Sequence, residues 1–347
     1  MRIGIVNDLN LAVEALRRVV SSMAGHSIAW IARDGQEAVD HCLADTPDLI
    51  LMDLIMPVMD GVQATAEIMA RCPCPILVVT VSLGVNAGKV YEAMGHGAVD
   101  AVRTPALGLG GQLEGAEPLV NKILRVAMLT GKVSARETRS GFAPPPAPPP
   151  TAAPEFPPLL AIGSSTGGPQ ALAAILSALP HPFPAAIAIV QHVDPDFAGG
   201  LATWLGQRSH FEVHTARPGQ HLQTGKVIIA ATDDHLIVDS AGRLSYTPTP
   251  SEAFYRPSVD VFFRSLAHHW PNPGVALLLT GMGRDGAEGL KILRSRGWKT
   301  IAQGKETSVV YGMPKAAALI GAAMEILELP AIAPALAAHF NAPVVTP

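Results

Sequence analysis

A serine, a histidine and an aspartate that lie far apart in the chain occupy matching local settings. The run Gly163-Ser164-Ser165-Thr166-Gly167-Gly168-Pro169 separates the apolar stretch LLAI from the helical pattern QALAAIL. Small residues there permit a tight strand-to-helix turn. A serine in such a turn has backbone N–H groups and a helix N-terminus beside it, donors that can stabilise a developing oxyanion. Losing one such donor raises a barrier by roughly 3 kcal/mol. His192 directly follows AIAIVQ, and an imidazole at the mouth of a sheet can serve as general base near neutral pH. Asp285 lies in Thr280-Gly281-Met282-Gly283-Arg284-Asp285-Gly286, after GVALLL. A carboxylate there can orient an imidazole and stabilise its protonated form.

Each of these residues has a plainer reading alone. The glycine-rich turn matches neither G-x-S-x-G nor G-x-G-x-x-G and could cradle a phosphate. His192 is one of twelve histidines, and Asp285 could cap the helix GAEGLKIL. The combination carries the argument. Each residue ends a different apolar run, so in one sheet nucleophile, base and orienting acid converge on one crevice, and their order along the chain is no obstacle.

A second acidic set lies near the N-terminus. Asp8 follows RIGIV, Asp53 ends LILM, and Asp60 sits in an Asp-Gly turn. Two carboxylates at strand ends can hold Mg²⁺ through hard oxygen ligands. The ion would neutralise an incoming phosphoryl group while one carboxylate attacks it to form an aspartyl phosphate. Singly, each aspartate would more often cap a loop; their placement on neighbouring strands favours a site.

The elements that must position these groups follow from hydrophobic patterning. RIGIV (2–6), IAWIA (28–32), DLILM (48–52), ILVVT (76–80) and AVDAV (98–102) read as buried strands alternating with helical stretches. Continuous apolar strands separated by helices imply a parallel sheet covered on both faces, with ligands at the strands' carboxyl ends. The pattern resumes at LLAIG (159–163), AAIAIVQ (185–191), KVIIAA (226–231) and GVALLLTG (274–281), with helices at PQALAAILSAL, PSVDVFFRSLAHHW and GAEGLKILRSRG. HLIVD and RLSYTP read as a hairpin around Ser240-Ala241-Gly242. The second domain is therefore expected to be α/β, with a mostly parallel sheet and some antiparallel edge.

Between the two patterns residues 143–158 read APPPAPPPTAAPEFPP. Proline at this density forms neither helix nor central strand, and a polyproline II spacer of about 3 Å per residue is expected. The division is 1–130, a linker over 131–157, and 158–347. The 347 residues suit two domains, and 48% hydrophobic residues suffice for two cores. A net charge of −4 supplies no basic field for nucleic acid or an anionic membrane. No segment approaches the roughly 18 apolar residues of a membrane span, and nothing at the N-terminus reads as a signal peptide. Three cysteines, two in a Cys-Pro-Cys run, fit a reduced cytoplasmic protein.

Residues 1–130 resemble a two-component receiver domain. The matching motif is D53-x3-P57-x2-D60-G61. The resemblance implies a flavodoxin-like (βα)5 fold, phosphorylation at Asp53, Mg²⁺ held by Asp8 and Asp53, and Thr80 as the hydroxyl switch. It also implies a histidine kinase as phosphodonor. Two positions depart from the pattern. Asn7 stands where the family has the first of two acids, which weakens the metal site, and Thr104 stands where it has a lysine. Residues 158–330 resemble the catalytic domain of the chemotaxis protein-glutamate methylesterase (CheB) family. The resemblance lies in IGSSTGGPQAL, IVQHVDPDF, YRPSVDVFF, LLTGMGRDGAEGL and QGKETSVVYGMPKAA. It implies Ser165 as nucleophile, His192 as base, Asp285 as its partner, and backbone N–H groups of Thr166 and Met282 as the oxyanion hole, with no cofactor. Its implied activity is hydrolysis of glutamate methyl esters, and deamidation of glutamines, on the cytoplasmic helices of methyl-accepting chemoreceptors. Thr232-Asp233 replaces the family's Ala-Pro-Gly run. The opening IGIVND and the segment MGHGAVDAVRTP look more like the Wsp-type branch, whose systems control a diguanylate cyclase.

Two other readings remain open on sequence. A non-catalytic adaptor would use the second domain only to bind receptor helices. A nucleotide-binding fold would use the glycine-rich turn for phosphate, but the acidic ribose partner expected about 20 residues on is missing.

Overall fold

The computed structural model describes residues 1–81, 87–108, 110, 112–129, 156–251, 253 and 255–341. Two compact units make up the chain, Met1–Thr138 and Arg139–Pro347. Except for its last residues, Phe156 and Pro157, the expected linker lies outside the described residues.

In the first unit, β1 (Arg2–Val6), β2 (Ser27–Ala32), β3 (Leu49–Met52), β4 (Ile76–Thr80) and β5 (Asp100–Arg103) form a parallel sheet in the order β2-β1-β3-β4-β5. Helices α1 (Asn10–Ser22), α2 (Gly35–Ala44), α3 (Gly61–Arg71), α4 (Ala87–Gly95) and α5 (Ala116–Leu129) connect the strands, with a two-residue hairpin of β6 (Ala106–Leu107) and β7 (Leu113–Glu114) before α5. Alternate strand residues point to one face. On that face Ile3, Ile5, Leu49, Leu51, Leu77, Val79 and Val102 pack against Val13, Leu16 and Val20 of α1 and Leu119 and Ile123 of α5. Beyond this sheet's carboxyl edge follow Asn7, Asp53 and Thr104.

The second unit holds a seven-stranded, wholly parallel sheet. It is built from β8 (Leu159–Ser164), β9 (Ala186–Gln191), β10 (Glu212–Thr215), β11 (Lys226–Ile229), β14 (Val275–Leu278), β15 (Lys299–Gln303) and β16 (Glu325–Leu327). Their order is β10-β11-β9-β8-β14-β15-β16. The expected hairpin exists, β12 (His235–Val238) with β13 (Leu244–Thr247), but it is a separate two-stranded sheet rather than an edge of the main one. Helices α6 (Gly168–Ala178), α7 (Pro195–Arg208), α8 (Val259–His269), α9 (Ala287–Ser295), α10 (Met313–Leu319) and α11 (Leu329–His339) complete the unit. Phe262, Phe263 and Leu266 of α8 and Leu290 and Leu293 of α9 share a core with Ala161, Ala188, Ala276 and Leu278 of the sheet. Small strand residues there let large helix residues seat closely.

From β8 the chain winds outward to β9 on one side and later to β14 on the other. Strand order therefore reverses at β8, and a crevice opens at the carboxyl ends beside it. Ser165, His192 and Asp285 follow β8, β9 and β14, three adjacent strands.

Candidate active site

The turn after β8 separates the two serines. The Ser164 side chain is fully buried, and its hydroxyl donates to Gln191 Oε1 at 2.7 Å. Gln191 Nε2 then donates to the carbonyls of Ser165 (2.9 Å) and His192 (3.0 Å). Ser164 is thus committed to a buried clasp, and Ser165 is the serine left at the crevice. The same glutamine locks the two loops together. Gly168 is required at this clasp, because a Cβ there would collide with Gln191 Oε1. Gly167 has φ 77°, the left-handed region that lets the chain reverse into α6. Ser165 N–H donates to Thr280 O at 3.1 Å, tying the turn to the loop after β14. The Thr280 hydroxyl completes that tie, donating to Thr166 O (2.9 Å) and accepting from Val310 N–H (3.0 Å). Among the described residues, the N–H groups of Thr166 and Met282 donate to no protein acceptor.

His192 Nε2 and Asp285 Oδ2 are 2.8 Å apart, both side chains nearly inaccessible. Three more donors converge on this carboxylate: the Ser258 hydroxyl (2.8 Å), Val259 N–H (2.7 Å) and Asp260 N–H (3.1 Å). Val259 and Asp260 open α8, so Asp285 sits on the positive end of that helix. Burial alone would push its pKa up. The bonds from His192, Ser258 and Val259 outweigh burial and hold it below the usual carboxylate value. Asp285 does not cap its own helix, because Gly286 is the N-cap of α9. Neighbouring Asp260 goes the other way: burial and the Asp285 charge push it up to about 7.

The other imidazole nitrogen, Nδ1 of His192, is buried and has no hydrogen-bond partner among the described residues. No hydrogen bond joins Ser165 to His192 among the described residues. The structure therefore makes one of the two expected links, His192 to Asp285, and leaves one ring nitrogen for the other. Catalytic bonds of this kind commonly close only when substrate is present. The Tyr255 ring lies flat on the imidazole, centroids 4.5 Å apart and planes 7° from parallel. A hydrogen-bond chain behind the site continues from Ser258 N–H to His235 Nδ1 (3.0 Å) and from His235 Nε2 to Pro250 O (3.0 Å).

In the first unit Asp53 is buried, 4% exposed. Its carboxylate accepts from Asn7 Nδ2 at 3.0 Å and Leu54 N–H at 2.7 Å. Burial raises Asp53 to about 6; backbone bonds from Leu54 and Ile55 oppose the rise and the Asp8 charge adds to it. Two carboxylates that feel each other's charge suit a hard cation that keeps several waters. Asn7 Oδ1 accepts from Leu9 N–H at 2.9 Å while its Nδ2 faces Asp53. Asp60 lies outside the set: it caps α3 in a capping box with Gln63 and pairs with Lys89 at 2.7 Å. Thr80 is buried at the end of β4 and its carbonyl accepts from Thr104 N–H at 3.1 Å. The Thr104 hydroxyl is buried without a partner among the described residues.

Residues 160–336 match the family model for CheB methylesterase, and residues 3–106 that for the response regulator receiver domain. The chain belongs to the CheB methylesterase family. It is 56% identical over 336 residues to a protein-glutamate methylesterase/protein-glutamine glutaminase of Cupriavidus metallidurans, covering 97% of both chains. A like-named protein of Pseudomonas fluorescens is 54% identical over 336 residues, covering 97% of this chain and 98% of the relative. The crystal structure of the Thermotoga maritima CheB methylesterase catalytic domain covers 52% of this chain and 97% of its own, with TM-score 0.50 and 37% identity.

Within this CheB site, sequence reasoning missed Gln191, Tyr255, Ser258 and Thr280 as individual residues. Ser258 carried a visible signal, a serine just before the apolar pattern of α8. Nothing local signalled that Asp285, 27 residues on, would bond to it.

Proposed function

We propose that this chain is a protein-glutamate methylesterase and protein-glutamine deamidase whose catalytic groups are Ser165, His192 and Asp285. The observation that carries this reading is the buried Asp285 carboxylate, kept ionised by four donors and bonded to one nitrogen of an imidazole whose other nitrogen is free. In the first step Ser165 Oγ attacks the γ-carbonyl carbon of a glutamyl methyl ester as His192 Nδ1 takes the hydroxyl proton. The oxyanion accepts from the N–H groups of Thr166 and Met282. Collapse breaks the ester C–O bond, and methanol leaves with the proton from Nδ1. Water then attacks the acyl-serine by the same route, releasing glutamate. With a glutamine side chain the leaving group is ammonia.

The substrates are cytoplasmic helices of methyl-accepting chemoreceptors. In the receiver, the Asp53 carboxylate attacks the phosphorus of a phosphohistidine on the kinase donor, and the P–N bond breaks to release the kinase imidazole. Asp8 and Asp53 would hold Mg²⁺, which would supply charge neutralisation there. The IGIVND and MGHGAVDAVRTP segments support assignment to the Wsp-type branch. Methanol release from methylated receptor membranes tests the whole reading: it should occur with the native chain and vanish with Ser165→Ala. Full release from that variant removes Ser165 from its role.

A further inference from the structure

Tyr255 touches both halves of the proposed apparatus. Its ring covers one face of the His192 imidazole, centroids 4.5 Å apart and planes within 7°. Its hydroxyl donates to the carbonyl of Met282 at 3.2 Å. Met282 is the residue whose N–H is free to face an oxyanion. A carbonyl held in one direction fixes the plane of its own unit, here Met282–Gly283. That unit is the neighbour of Gly281–Met282, which carries the Met282 N–H and whose carbonyl accepts from Gly312 and Met313 N–H. Tyr255 therefore spans the imidazole and the oxyanion loop, two elements that must hold a common geometry.

The surroundings fix Tyr255 in turn. The next residue, Arg256, donates from Nε to Asp233 O and from its guanidinium to Asp234 Oδ1, each at 2.8 Å. Gly283, at φ 85°, carries no side chain where the Tyr255 hydroxyl lies, and a Cβ there would collide with that oxygen. Asp233, in the Thr232-Asp233 pair that replaces the family's Ala-Pro-Gly run, and its neighbour Asp234 thus supply the anchor for the segment that carries Tyr255.

We infer that Tyr255 is a positioning residue for ester hydrolysis, holding the His192 ring by stacking and, by its hydroxyl, the Met282–Gly283 peptide unit that adjoins the oxyanion-facing N–H. The stack blocks rotation of the ring away from Asp285 and presents a π face to the imidazolium formed when His192 takes the serine proton. The hydroxyl holds the oxyanion loop. The inference rests on the Ser165, His192 and Asp285 reading, and the experiment separates the two.

Native chain, S165A, Y255F and Y255L are compared by methanol release from methylated receptor membranes, by the rate at which a fluorophosphonate labels the active serine, and by thermal melting. Y255L keeps an apolar cover but loses both stack and hydroxyl; its labelling rate and kcat should fall about tenfold or more. Y255F keeps the stack; it should recover most of that loss and remain roughly threefold slow, the effect of one hydrogen bond. In both, KM should move less than twofold and melting should stay near that of the native chain. A merely structural role would lower melting without separating the two variants in this way. Y255L labelling at the native rate, or a loss confined to KM, overturns the inference. If Y255L does not fold, Y255F decides: a threefold loss at unchanged KM supports the role, and a native rate overturns it. Loss of labelling in S165A with native behaviour in Y255L rejects only Tyr255. Retained labelling in S165A rejects the triad itself.

Discussion

The Asp285 carboxylate accepts from one imidazole, one hydroxyl and two peptide N–H groups, and that count sets what a substitution does. Asp285→Asn keeps the shape but replaces an acceptor by an NH2 that must face donors. The His192 ring loses its orienting charge, and kcat for methanol release should fall by about 10⁴, as for the equivalent change in a Ser-His-Asp protease. Ser258→Ala removes one donor yet leaves the carboxylate three; it should lower stability by about 1–3 kcal/mol in urea denaturation and reduce kcat far less. The proposed phosphoacceptor behaves in the opposite sense. Asp53, raised to about 6 chiefly by burial, keeps its proton in the folded state at pH values where the unfolded chain has released it. Stability should therefore fall as pH rises from about 4 to 6 and stay low above that, by on the order of 3 kcal/mol. Asp53→Asn should be more stable than the native chain at neutral pH and lose this advantage near pH 4, as followed by urea denaturation of the receiver unit. The positions of Asp53, the Ser164-Ser165 pair, His192 and Asp285 were legible in sequence because each follows an apolar run, whereas the choice of Ser165 over Ser164 came from the family resemblance. The partners of Asp285 were not, because they arrive from a helix whose approach only tertiary packing sets.

At the scale of elements, α8 is the hub of the second unit: its apolar face fills the core and its N-terminus receives Asp285. Ser258 is at once the cap of that helix and a link from Asp285 to His235. His235 accepts at Nδ1 from a peptide N–H and meets a carbonyl at Nε2, an arrangement that only the neutral Nε2–H ring satisfies. Burial lowers its pKa below 6.5, with the bond to Pro250 O opposing and the Arg256 charge adding. The unfolded chain therefore takes up a proton that the folded chain refuses, and stability is lost as pH falls below 6.5. His235→Gln, which can mimic both bonds without titrating, should flatten the stability profile of the second unit between pH 6.5 and 5. The central strands were legible because LLAIG, AIAIVQ and GVALLL are continuously apolar, as both-face burial demands. Strands β10, β15 and β16 were not: EVHT, KTIAQ and EIL are short, mixed in polarity and lie toward the sheet margins. The hairpin was readable from its turn, but its separation from the main sheet depends on register, which the turn does not encode.

For the whole molecule, each unit has its own complete sheet and core, so chemistry at Asp53 reaches Ser165 only by shifting a population of arrangements. Phosphorylation favours whichever arrangement of the two units the phosphorylated receiver holds better. Asn7 puts a neutral amide where the family resemblance expects an acid, and Thr104 puts a short neutral hydroxyl where it expects a lysine. If these departures weaken the link between phosphate and conformation, control is partial rather than all-or-none. Methanol release by the full chain should rise several-fold with acetyl phosphate and Mg²⁺, whereas Asp53→Asn should show the resting rate under both conditions. Residues 158–347 alone should exceed that resting rate and ignore the phosphodonor. Equal rates for the full chain and the isolated unit, with and without acetyl phosphate, would mean that the receiver exerts no control over the esterase crevice. Thr104→Lys provides the finer test: if the missing cation limits coupling, the variant should widen the ratio of stimulated to resting rate while leaving the isolated unit's chemistry untouched.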